Sequence, residues 1–144
     1  MIRLMRASPW FGFLAIAFAA ALLAVACGDD DGGAPDTVRL GEADNGRSVT
    51  VAKGGTVIVT LPSNPSTGFS WAVVLPAPAQ LEPQGEPKYV PSGSTTPVVG
   101  AGGTEVFTFR ARATGTGTLE LGYARPFEKG VPPEKTFRVT VDVR

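Results

Sequence analysis

"TFRVTVDVR", residues 136–144, alternates without a break: Phe137, Val139, Val141 and Val143 fall on one side, Arg138, Thr140 and Asp142 on the other. An extended chain sends successive side chains to opposite faces, so this stretch reads as a strand with one face in a core and one in water. A helix would scatter the same apolar residues around its circumference. The period recurs upstream. Val57, Val59 and Leu61 alternate with Thr56, Ile58 and Thr60, and Phe69, Trp71 and Val73 share a face. Phe107, Phe109 and Ala111 alternate with Val106, Thr108 and Arg110, and Leu119, Leu121 and Tyr123 with Thr118, Glu120 and Gly122. Trp71, beside Phe69 on its strand, is expected in the core and not at a contact surface.

Shorter candidates at 38–40, 48–51 and 81–90 complete a set of about seven to eight strands with Gly or Pro between them. The 18 glycines and 13 prolines of the 144 residues suit short strands joined by tight turns. No convincing helical pattern follows the first two dozen residues. The expected fold is all-β, an immunoglobulin-like antiparallel β-sandwich over 37–144, with a small barrel as the alternative that strand spacing leaves open.

The first 26 residues have a different character. Arg3 and Arg6 form a short basic region, and Trp10 to Ala26 is an uncharged run rich in Ala, Leu and Phe. That is the pattern of an export signal; the alternatives are a plain transmembrane anchor, which the run's length barely permits, and a soluble secreted form. Its end, "LLAVACGDDDGG", sets small residues before Cys27 and a charged, Gly-rich stretch after it, and resembles a bacterial lipoprotein signal. Ala24 stands where leucine is commoner in such signals. The resemblance implies cleavage before Cys27 and lipidation of that residue. The chain would then be exported and held by lipid on the outer face of a bacterial membrane, periplasmic or at the cell surface. Residues 27–36 read as an acidic, Gly-rich tether and 37–144 as the folded domain.

Composition excludes several functions. Cys27 is the only cysteine, so the domain has no internal disulfide. The chain has no histidine, which removes Ser-His-Asp triads, Cys-His dyads and histidine metal sites. Neither a metal nor a cofactor is expected. Without residues 1–26 there are eleven basic side chains against thirteen acidic ones, a net charge of −2 with no basic stripe, so nucleic acid is not an expected partner. Paired carboxylates such as Glu120 and Glu128 stay formally open, although both contexts read as ordinary exposed charges. "GAGG" at 100–103 lacks the Lys-Ser/Thr of a phosphate loop and precedes a strand, not a helix. The chain reads as a binding protein and not an enzyme.

Three connections stand out. "NPSTGF" combines Asn64 and Pro65, both conformationally restricted, with Ser66, Thr67 and Gly68, where Gly68 can take the positive φ needed to re-enter a strand at Phe69. A long low-complexity connection ends in Gly100, Ala101, Gly102 and Gly103, and the last connection carries Arg125, Pro126 and Phe127. An aromatic ring beside a proline on a loop suits docking better than solubility.

In this order, and between strands of this pattern, the three motifs resemble those of the chagasin family of cysteine peptidase inhibitors. That signature is an Asn-Pro-Thr-Thr-Gly-aromatic loop, a Gly-x-Gly-Gly loop and an Arg-Pro-Trp loop. Ser66 replaces a threonine and keeps a hydroxyl; Phe127 replaces a tryptophan and loses the indole N–H. The resemblance covers nearly all of 37–144. It implies reversible inhibition of a papain-like cysteine peptidase, with the loops forming a wedge in its cleft and Thr67 lying over the catalytic Cys-His pair. Gly102 and Gly103 would let backbone approach the cleft wall, and Arg125 and Phe127 would anchor the far side. A monomer is expected, since the wedge must enter a cleft. The alternative is an envelope adhesion or assembly module that uses the same loop end without inhibiting a peptidase.

Overall fold

The computed structural model describes residues 33–74, 76–93 and 100–144. The signal segment, Cys27 and the start of the tether lie outside the described residues. Nine strands are described: β1 (Thr37–Leu40), β2 (Ser48–Val51), β3 (Thr56–Ser63), β4 (Ser70–Val73), β5 (Leu81–Pro83), β6 (Lys88–Pro91), β7 (Gly103–Ala111), β8 (Gly115–Ala124) and β9 (Lys135–Val143). They form two sheets. One runs β1-β3-β7-β5, with β6 also paired to β7; the other runs β2-β9-β8-β4. The architecture is therefore a sandwich and not a barrel.

The inward residues of the alternating stretches make the core. Val57, Val59, Leu61, Phe107 and Phe109 face Leu119, Leu121, Phe137, Val139 and Val141, all of them buried. Removing a side chain the size of Phe109 or Phe137 from water contributes about 2–3 kcal/mol, and burial of this kind holds a domain that has no disulfide. Trp71 is buried at 6% exposure, as its strand phase predicts.

Two features depart from the sequence reading. β1 and β2 run parallel to their neighbours β3 and β9, whereas all other pairings are antiparallel. The stretch 81–90, expected as one strand, is two. Pro83 and Pro87 each lack a backbone N–H, and Gly85 at φ +76° turns the chain between them. β5 pairs with the end of β7 (Leu81 with Ala111), and β6 with its beginning (Pro91 with Gly103).

Register gives the sandwich two distinct poles. Ser63 pairs with Gly103, Ser70 with Ala124, and Tyr123 with Lys135. The connections β3–β4, β6–β7 and β8–β9 therefore all leave from the same pole. The chain joins the domain at the other one: the Pro35 and Asp36 carbonyls accept from Ala52 N–H and Thr56 N–H, and Thr37 pairs with Thr56. Seven residue steps along β3 separate Thr56 from Ser63, about 24 Å of extended chain.

Candidate functional site at the loop pole

The first loop, 64–69, is held by its own sequence. Asn64 Oδ1 accepts from the Ser66 N–H at 3.3 Å and the Ser66 hydroxyl at 2.6 Å, capping a short 3-10 turn over Pro65–Thr67. The Thr67 hydroxyl donates to the Asn64 carbonyl at 2.7 Å. Gly68 closes the turn at φ +81°, the left-handed conformation expected of it. These bonds leave few conformations to lose on binding.

The loop's stem is fixed from below. Tyr123 of β8 accepts the Asn64 N–H on its hydroxyl at 3.1 Å, and the Trp71 indole N–H donates to the Pro62 carbonyl at 2.9 Å. Glu105 of β7, 7% exposed, takes the Ser63 hydroxyl on one oxygen at 3.0 Å and the Trp71 N–H on the other at 2.8 Å. Glu105 was not among the residues the sequence reading singled out. Its signal was its phase: it lies two residues before Phe107, on the inward side of the strand, where a carboxylate is out of place.

The third loop begins at Arg125. Its guanidinium lies 4.4 Å over the Phe69 ring and pairs with Glu128 at 3.1 Å. Phe69 stacks on Tyr123 with centroids 5.3 Å apart, and Tyr123 meets Trp71 at 5.1 Å. A ladder of Arg125, Phe69, Tyr123 and Trp71 thus runs from the loop surface into the core. Phe127 is 69% exposed, and its ring edge sits 3.4 Å from where a Cβ on Gly68 would be. Pro126 is exposed beside it. The sequence reading gave Arg125 to a partner; in the structure its flat face is already engaged with Phe69.

The second loop is described from Gly100 onward. The Asn64 side-chain amide donates to the Gly100 carbonyl at 3.5 Å, a long contact between the first and second loops. Tyr89 of β6 donates its hydroxyl to the Ala101 carbonyl at 3.3 Å, and the Ser92 N–H donates to the Gly102 carbonyl at 2.9 Å. Gly102 has space around it: a Cβ there would be 3.6 Å from the Ser63 carbonyl. Gly103 differs from the expectation of an open loop residue. It is the first residue of β7 and is buried, and a Cβ would collide with the Val90 carbonyl and with the Tyr89 hydroxyl at 2.6 Å. This glycine accommodates the chain's own β6.

The structure thus brings all three motifs to one pole and joins the first loop to each of the others. The carboxylates Glu120 and Glu128 are in separate ion pairs, with Arg138 at 2.8 Å and Arg125 at 3.1 Å. Among the described residues no group of three His, Cys, Asp or Glu is placed to hold a metal.

Residues 50–141 match the chagasin family of peptidase inhibitors, I42. The chain belongs to that family. It is an inhibitor by descent, not an enzyme. Chagasin of Trypanosoma cruzi is 40% identical over 106 residues, covering 72% of this chain and 93% of that protein. Among solved structures, a cysteine protease inhibitor from Entamoeba histolytica superposes with a TM-score of 0.66 at 24% identity, over 75% of this chain and 96% of that one. ICP of Leishmania mexicana superposes with a TM-score of 0.53 at 36% identity, over 70% of this chain and 90% of that one.

Proposed function

We propose that this chagasin-family protein inhibits papain-like cysteine peptidases reversibly by filling the active-site cleft with the three loops of one pole. The carrying observation is the convergence of 64–69, 100–103 and 125–127 into a bonded and stacked edge. Of the five large apolar side chains left exposed among the described residues, Tyr89, Val90, Phe127 and Val131 lie on the strand or loops at this pole, and Val74 lies elsewhere. Such concentration marks a protein-binding surface. Thr67, exposed on the internally hydrogen-bonded first loop, stands over the catalytic Cys-His pair of the peptidase. Gly102 brings backbone to the cleft wall, and Phe127 anchors the far side.

The test is titration of the protein against papain and a cathepsin L-like enzyme, followed by peptide-substrate hydrolysis. Stoichiometric inhibition, abolished by Thr67→Asp and absent for a serine peptidase, is the expected result. No inhibition at micromolar concentration by folded protein overturns the reading.

The same reading includes a lipid anchor on Cys27 outside the cytoplasmic membrane, with the domain as a monomer. Support comes from the signal pattern and from the pole at which residues 35–36 join the sandwich, opposite the loops. An anchored molecule would therefore present its loops away from the bilayer. Loss of membrane association in Cys27→Ser, read by cell fractionation, is expected; unchanged partitioning would remove the anchor from the proposal.

A further inference from the structure

We propose that Glu105 is a positioning residue for the first loop: its buried carboxylate ties together the two strands from which that loop springs. The proposal rests on the inhibitory role assigned to the loop above. Ser63 immediately precedes the loop, and Trp71 opens the inward face of the strand that follows it. Ser63 is on β3 in one sheet and Trp71 is on β4 in the other. Glu105 reaches them from β7, 42 and 34 residues away in sequence, one oxygen to each. The separation and direction of the loop's two ends are thereby fixed by a single planar group.

Stability alone does not account for this choice. Positions 57, 59, 61 and 63 of β3 all face inward, and the first three are Val, Val and Leu; likewise 105 shares its face with Phe107 and Phe109. Apolar side chains at 63 and 105 would continue both runs. Desolvating a carboxylate is costly, and among the described ion pairs none includes Glu105. Two neutral donors satisfy it instead. The Trp71 N–H is also an edge donor: among the described strands β4 pairs with β8 alone, and on its other side Glu105 supplies the acceptor a neighbouring strand would have given.

The core therefore holds a polar staple just beneath the rigid loop, consistent with affinity gained by fixing the loop before the partner arrives. Glu105 touches no partner; it acts through the stem.

The experiment compares the parent with Glu105→Leu, Glu105→Gln and Ser63→Ala. It measures the inhibition constant and association rate against papain well below each variant's melting temperature, and amide hydrogen exchange over 64–71. Glu105→Leu is expected to weaken inhibition about tenfold or more, mainly through slower association, with faster exchange at Trp71 and through the loop. Ser63→Ala, which removes one of the two bonds, is expected to weaken it about threefold. Glu105→Gln is expected to recover most of the loss, because the amide accepts from Trp71 and donates to a Ser63 hydroxyl that turns round. A residue that only stabilised the fold would lower the melting temperature and leave the inhibition constant of folded protein unchanged.

Parent-like inhibition in Ser63→Ala together with parent-like exchange over 64–71 overturns the proposal, even where Glu105→Leu does not fold. If the parent itself leaves papain untouched, the proposed function fails. The exchange comparison then still decides whether Glu105 orders the loop.

Discussion

The guanidinium of Arg125 lies 4.4 Å over the ring of Phe69, fastening the third loop to the first. Because Glu128 holds the same guanidinium from the side, Arg125 orients its neighbours as much as it offers a charge. Arg125→Ala is expected to weaken papain inhibition about fivefold, the ~1 kcal/mol typical of an exposed cation–π contact with a surface ion pair. Arg125→Lys keeps the charge but not the flat face, and recovers little of the loss. Titration of the three proteins checks this.

Among the described residues Phe127 is the most exposed large apolar side chain at the loop pole, so its removal leaves the fold intact. Phe127→Ala is expected to weaken inhibition ten- to thirtyfold, about 1.4–2 kcal/mol, with an unchanged melting temperature. Phe127→Trp, with a larger face and an N–H, is expected to bind more tightly than the parent. Equal inhibition constants for all three would place this ring outside the contact.

Gly102 and Gly103, adjacent in sequence, are expected to respond differently to the same substitution. A methyl group on Gly102 meets nothing closer than 3.6 Å, so Gly102→Ala keeps the melting temperature and lowers inhibition through contact with the partner. On Gly103 the methyl group drives against the Val90 carbonyl and the Tyr89 ring. Gly103→Ala is expected to destabilise the protein by about 1–3 kcal/mol and to raise hydrogen exchange in β6. Calorimetry beside inhibition assays separates the two.

Acid stability follows from two carboxylates. Asp44 lies below its ordinary 3.8 because the Gly41 N–H bonds to it, with Arg47 adding to the effect. Asp142 is lowered chiefly by its hydrogen bond from Arg144, with Thr116 contributing. Depressed folded values mean stability that is present above 3.8 and lost as pH falls through the lower folded values. With no histidine to change charge between pH 5 and 8, the melting temperature is expected to stay nearly level there and to fall below pH 3.8, less steeply in Asp44→Asn. A drop of several degrees between pH 8 and 5 would contradict this.

The strands with unbroken alternation were legible because burial on one face requires that pattern, and the pattern needs no knowledge of the partner strand. Residues 56–61, 106–111, 118–123 and 136–143 all lie within observed strands. The division of 81–90 was not read, although Pro83, Gly85 and Pro87 mark it, because the two pieces are defined by different halves of β7. Within the site, the conformation of Gly68 followed from local chemistry. The engagement of Arg125 with Phe69, 56 positions away, did not, because only tertiary structure makes them neighbours. Gly103 was read as loop for the same reason: Tyr89 and Val90, which require its small size, arrive from a separate strand.

From Cys27 onward the chain contains a single tryptophan, Trp71. It ends the ladder that begins at Arg125, and its own N–H and indole N–H hold the stem of the first loop. Residues 27–144 thus carry one indole fluorophore, and it sits beneath the surface where a partner would dock. Its emission wavelength and quenching report the state of that surface in the unlabelled protein, at the native pH and without a substrate.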